Sequence, residues 1–216
     1  MGSALASREA PTLSDLRIEP AGPEHEEGLS ALFERNDSPC FCRWWHFEGD
    51  KNAWEDRCAN APAESRRELS GRLAGHSDEA RGLVALGDGQ LVGWMKLSPA
   101  GVMQKLYAQR LYRGLPCFEG ERSGVFTIGC FLVDEAWRRR GVARALVDAA
   151  VEIAPRWGAR ALEAFPRRGD ALSAQEMWTG PAEALTDAGF REVFDFKPYP
   201  VLRRELTPVA SSRESG

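Results

Sequence analysis

The run from Phe126 to Ala154, FTIGCFLVDEAWRRRGVARALVDAAVEIA, constrains this chain most. It reads as a buried strand at 126–133, a short arginine-rich loop, and an amphipathic helix at 141–154 that opens on Gly-x-Ala. On that helix Val142, Leu146, Val147, Ala150 and Val151 form one apolar stripe. Pro155 weakens its last turn. A helix start carries backbone N–H groups without intrahelical partners and the positive end of the helix dipole, so anions settle there. Gly141 and Ala143 lack the bulk that would hold a pyrophosphate off the backbone. Arg138, Arg139, Arg140 and Arg144 add forked, charge-assisted donors suited to phosphate. The loop is neither a P-loop nor a dinucleotide G-x-G-x-x-G fingerprint.

The rest of the chain fits a mixed sheet around that unit. Leu16–Ile18 reads as a first strand, ended by Pro20. AGPEHEEGLSALFERN is a helix with acids in its first turn, where the dipole favours them. PAESRRELSGRLAG is a second helix, with Pro62 at its start and Gly75 near its end. RGLVALGDGQLVGWMKLSP is a hairpin, because Asp88-Gly89 suits a tight turn with positive φ. Residues 100–124 form a long connection that carries Lys105, Tyr107, Arg110, Tyr112 and Arg113. Such connections are usually functional or mobile. ARALEAFP at 159–166 is the next strand. A broken helix follows from Ala174 to Ala188, interrupted at Gly180-Pro181, and REVFDF and VLRREL close the chain as strands. A hairpin first and strand–helix alternation later imply an α/β (α+β) fold with a mixed, mostly antiparallel sheet flanked by helices. The expected organisation is a leader at 1–13, one domain at 14–207 and a tail at 208–216.

Composition sets the class. The 216 residues are 43% hydrophobic and 28% charged, an ordinary globular balance, with a net charge of −4. That charge argues against a generally basic nucleic-acid face, and no apolar run is long enough to span a membrane. The first residues lack the apolar core of a signal peptide, so a cytoplasmic location is expected. The 5 cysteines, an odd number, are then expected as reduced thiols. Cys40, Cys42 and Cys58 with His46 lack common zinc spacing, and no metal is expected.

The spacing Arg138-x-x-Gly141-x-Ala143, set between strand and helix, resembles the acyl-CoA signature of the GCN5-related N-acetyltransferase (GNAT) family. ALEAFP and DAGFREV extend the resemblance, and CxCRWW, LVALGDGQLVGWMKLSP and MWTGPAEAL are similar to an uncharacterised bacterial branch of it. The resemblance covers about residues 16–206. It implies an acetyl-CoA-dependent N-acetyltransferase with a V-shaped opening between the strands at 126–133 and 160–165. The pantetheine arm would lie there against the main chain of Phe131, Leu132 and Val133. The pyrophosphate would take backbone N–H groups of Arg139, Arg140, Gly141, Val142, Ala143 and Arg144. The acceptor would be the amine of a small molecule or peptide, in a monomer or homodimer. The family often places an acidic tyrosine four residues before the Gly-Phe pair, and here that position is Leu185. A non-catalytic acyl-CoA sensor and an acyltransferase for longer acyl-CoA are the alternatives.

Acetyl transfer needs a base for the ammonium, a donor for the oxyanion and an acid for the leaving thiolate. Glu163, mid-strand between Leu162 and Ala164, is the candidate base if burial raises its pKa. Pairing with an arginine is the competing reading. Tyr107 and Tyr112 are candidate acids or orienting hydroxyls, with Tyr199 a third. Cys130 beside the thioester is a candidate nucleophile, against inert packing. Trp44, Trp45 and Trp54 are candidate acceptor walls or plain core.

Overall fold

A computed structural model describes residues 16–207. The leader and tail expected at 1–13 and 208–216 lie outside the described residues. Among the described residues seven strands form one sheet: β1 (Arg17–Pro20), β2 (Gly82–Gly87), β3 (Gln90–Pro99), β4 (Val125–Val133), β5 (Ala161–Ala164), β6 (Arg191–Phe194) and β7 (Val201–Glu205). Their order is β1-β2-β3-β4-β5-β7-β6. Among the described residues only β4 and β5 pair in parallel. The crossover between them is α5 (Val142–Ile153), the helix that the apolar stripe marks out. The remaining helices are α1 (Glu26–Arg35), α2 (Lys51–Asn60), α3 (Pro62–Ala74), α4 (Gln104–Tyr107) and α6 (Ala182–Asp187).

Strand alternation gives the sheet two apolar faces. Met95, Leu97, Phe126, Ile128 and Leu162 face one side and bury Val142, Leu146 and Val147 of α5 with Leu185 of α6. Val84, Leu91 and Trp94 face the other side, against Leu29, Leu32 and Phe33 of α1 and Leu69 and Leu73 of α3. Each such fully buried side chain contributes about 1.5–3 kcal/mol of transfer free energy. A third cluster lies under the long connection, where Trp45, Met103, Leu106, Tyr112, Phe165 and Val201 meet.

One helix was not anticipated, and one expectation is corrected. Residues 51–60, after the tryptophan pair, are helical. Asp50 caps that helix by accepting from the Ala53 N–H at 2.9 Å. The broken helix expected from Ala174 reduces to α6 alone. Gly180 stands at φ 107°, which no helix tolerates, and Pro181 immediately precedes α6. The hairpin forms as read, with Asp88 at φ 51° and Gly89 at φ 72°.

Candidate functional site

Strands β4 and β5 are joined over four residue pairs, from Val125↔Ala161 to Ile128↔Ala164, and then part. The opening therefore lies at their C-terminal ends, where the chain leaves β4 for α5. On its other edge β4 carries an irregularity against β3: Met95 pairs with Phe131 and Leu97 with Ile128. Gly129 and Cys130 together oppose Lys96, which is a β-bulge. Gly129 packs closely there, since a Cβ would lie 2.7 Å from the Met103 methyl and 3.0 Å from Cδ of Lys96 and would oblige those side chains to shift.

The arginine loop is built tightly. Asp134 accepts from the Ala136 N–H at 3.0 Å and pairs with Arg35 of α1. Arg139 and Gly141 stand at φ 60° and 84° on either side of Arg140, a backbone form that gathers N–H groups into an anion-binding concavity. Gly141 is the N-cap of α5, and no side chain caps that helix. The arginines divide in role. Arg138 donates to the Val133 carbonyl at 3.1 Å and to Asn36 Oδ1 at 3.0 Å, so it braces the loop against α1. Arg144 pairs with Asp148 at 2.9 Å and Asp187 at 2.8 Å.

The Phe131 N–H points into the opening and donates to the carbonyl of Trp178 at 2.6 Å. The connection after β5 thus reaches the edge where the pantetheine arm was expected. Trp178 also stacks on Trp45, with ring centroids 5.4 Å apart. Trp45 is 4% exposed, and its indole N–H donates to the Gly129 carbonyl at 3.1 Å. Among the three candidate walls it alone is shown touching β4. Trp54 lies between Trp44 and Phe47, at 5.5 and 5.1 Å, as the anchor of α2. Lys105 Nζ sits 3.7 Å above the Trp44 ring.

The candidate base is not a free carboxylate. Glu163 is fully buried, and Arg122 grips it with two bonds of 2.8 and 2.7 Å while Arg203 donates from Nε at 3.0 Å. Burial alone would raise its pKa, but the bonds from Arg122, Tyr107 and Arg203 outweigh it and hold the carboxyl below the usual range. The raised-pKa base is therefore corrected to a carboxylate held charged by arginine, the competing reading. Tyr107 donates to Glu163 at 2.6 Å, and burial together with that carboxylate pushes its pKa well up. Tyr112 packs on Phe165 at 4.8 Å, and burial raises its pKa too. Cys130 is joined to Cys42 in a disulfide, which corrects the free nucleophile and, for this pair, the reduced-thiol expectation, while Cys40, Cys58 and Cys117 are free thiols.

One residue escaped the sequence reading. Lys96 of β3 is 1% exposed, lies along Gly129, and donates from Nζ to the Glu79 carbonyl. Burial first, then the nearby Arg43, lowers its pKa to about 7 against the opposing pull of Glu79. His46 shares this pocket and is pushed down to about 2 by burial and by Lys96, Arg43 and Arg72, so it stays neutral. The one signal was a charge inside the apolar run LVGWMKLSP.

A half-joined parallel pair, a bulge on its inner strand and a glycine-led helix at its open end define an acyl-CoA-type transferase fold. The profile of the acetyltransferase (GNAT) family matches residues 40–179, and the chain belongs to that family. Its members are N-acetyltransferases with acetyl-CoA as co-substrate. Solved structures share the fold at low identity. The PaiA N-acetyltransferase from Thermoplasma acidophilum, crystallised with coenzyme A, is 11% identical with a TM-score of 0.51, covering 88% of this chain and 98% of its own. The GNAT domain of S. lividans PAT is 19% identical with a TM-score of 0.52, covering 88% and 90%. An acetyltransferase of the GNAT family from Streptococcus pneumoniae is 15% identical with a TM-score of 0.50, covering 89% and 99%. No curated protein matches the sequence. Among the described residues no helix is long and apolar enough to cross a membrane.

Proposed function

We propose that the 14–207 unit transfers an acetyl group from acetyl-CoA to an amine of a small molecule or peptide, by direct attack in a ternary complex. The observation that carries this reading is the position of the Gly141-led helix start at the open end of the β4–β5 pair. A pyrophosphate on the backbone of residues 139–144 would direct the pantetheine arm along Phe131–Val133 toward the bulge. The acetyl carbonyl would then lie beside Gly129.

The chemistry follows from what surrounds that point. A bulge leaves backbone polar groups outside the ladder, and a fixed N–H there suits a developing oxyanion. The acceptor must shed a proton before attack. Glu163 is committed to two arginines and Cys130 to its bridge, whereas Lys96 lies against Gly129 with an amine that is half neutral near pH 7. Lys96 is our candidate proton acceptor. Trp45, with Lys105 and Trp44 beyond it, favours an acceptor with a flat or apolar part. Alignment of two bound reactants can supply roughly 7–11 kcal/mol, so a tyrosine in place of Leu185 is not required.

Calorimetry with acetyl-CoA, followed by thiol release across an amine library, tests this. Binding with amine-dependent release supports the transferase, and absence of acetyl-CoA binding overturns it.

A further inference from the structure

The opening between β4 and β5 is filled by the chain itself. Beyond the bond from the Phe131 N–H to the Trp178 carbonyl, two further contacts hold the segment there. The Trp178 indole stacks on Trp45 at an interplanar angle of 24°. Gly180 sits so close over the Phe131 ring that a Cβ would lie 2.5 Å from Cε2. Only a glycine at φ 107° lets the backbone pass at that depth.

The anchorage outside the opening is weak. Arg167 pairs with Glu176 at 2.7 Å, and Glu176 also accepts from the Ser173 hydroxyl at 2.9 Å. The Arg167 and Glu176 side chains are 35% and 41% exposed, and a pair so open to solvent is worth little. Trp178 is itself 40% exposed although it is stacked. The residues between β5 and α6 form turns, without helix or strand of their own. A segment that is well seated in a groove and poorly tied elsewhere is built to exchange.

We propose that Met177–Gly180 is a strap that occupies the acyl-CoA groove in the free protein, and that acyl-CoA binds by replacing the Trp178 carbonyl on the Phe131 N–H. The inference rests on the acyl-CoA reading above. One amide carbonyl replaces another, so that hydrogen bond is conserved through the exchange. What binding must overcome is the Trp45–Trp178 stack and the Gly180 contact. Displacement uncovers the Trp45 face beside Gly129, so acyl-CoA enters first and thereby opens the ground on which the amine sits. The apparent affinity for acyl-CoA is reduced by the fraction of protein with the strap closed.

The test uses the full chain, CoA as probe, and three variants: Trp178→Ala, Trp178→Phe and Glu176→Ala. An aromatic stack of this kind is worth a roughly two- to tenfold change in an equilibrium. Trp178→Ala is expected to bind CoA tighter than wild type by about that factor. Glu176→Ala, which unties the turn without touching the groove, should shift affinity in the same direction. CoA should also change the tryptophan emission of wild type, and that change should shrink in Trp178→Phe, where Trp45 alone is left to report the exchange. If wild type binds CoA but the Ala variants bind equally or more weakly, and the emission change is undiminished in Trp178→Phe, the strap is overturned while the acyl-CoA reading stands. If none of the four proteins binds CoA, both fall. Should Trp178→Ala fail to fold, the surface variant Glu176→Ala carries the affinity test.

Discussion

The hydroxyl of Tyr107 donates to Glu163 at 2.6 Å and lies 2.6 Å from Thr127 Oγ1, across the parallel pairing of Thr127 with Glu163. A carboxylate can only accept, so the phenol proton points at Glu163 and the threonine proton at the phenol. With Arg122 and Arg203 this makes a polar network in which Tyr107 and Arg122 come from the long connection, Thr127 from β4, Glu163 from β5 and Arg203 from β7.

Glu163→Gln should therefore act on stability before it acts on chemistry. It leaves two guanidinium groups facing a neutral amide, and breaking a buried pair in this way costs about 3–5 kcal/mol. A thermal melt at pH 7 reads this loss. The folded carboxyl lies below its usual range, so its contribution is present above the unfolded pKa and is lost as pH falls through the folded value. The acid limb of the stability curve should flatten in the variant. An unchanged melt would show that the network contributes nothing.

Lys96 gives a slope of the same sign in a higher pH window, but its buried charge destabilises the fold at neutral pH. Its pKa falls from 10.5 to about 7 on folding, so between those values the unfolded chain binds more protons. Stability should rise as pH climbs from about 7 toward 10, by an amount of the order of a few kcal/mol. Lys96→Met should remove that slope and melt higher than wild type at pH 6. Once an acceptor is in hand, the same variant should lose the alkaline rise in kcat/KM. A slope that survives the substitution would assign it to another group.

Arg138 and Arg144 look alike in sequence but should behave differently. Arg138→Ala removes two bonds that fix the loop to β4 and α1, for about 1–3 kcal/mol, and CoA affinity should fall with stability. Arg144→Ala breaks only exposed pairs and should leave the melting midpoint unmoved. Paired melts and CoA titrations check both. Equal effects would mean that the loop is not braced through Arg138.

The unit from Phe126 to Ala154 was legible because one period governs each half of it, and the glycine between them has a single structural use. Helix α2 was not, because KNAWEDRCAN buries only Trp54 and offers no apolar stripe. Its one signal, the Asp50 cap, was missed. The position of Glu163 inside an apolar strand was readable, but its partners Arg122 and Arg203 stand 41 and 40 residues away with nothing local to announce them. The Cys42–Cys130 link spans 88 residues and is equally silent. The contact of Trp178 with Phe131 is a main-chain bond, which side-chain patterns do not encode.

The short β4–β5 join has a consequence for how the molecule persists. Four residue pairs hold a four-strand leaf to a three-strand leaf, so the sheet is a book with a short spine. Whatever lies in the gap lengthens that spine by adding its own main-chain bonds. A ligand that pairs there recognises only the folded sheet, and by mass action it shields the chain from unfolding in proportion to its supply. An acyl-CoA paired there would tie the lifetime of the folded chain to its own abundance.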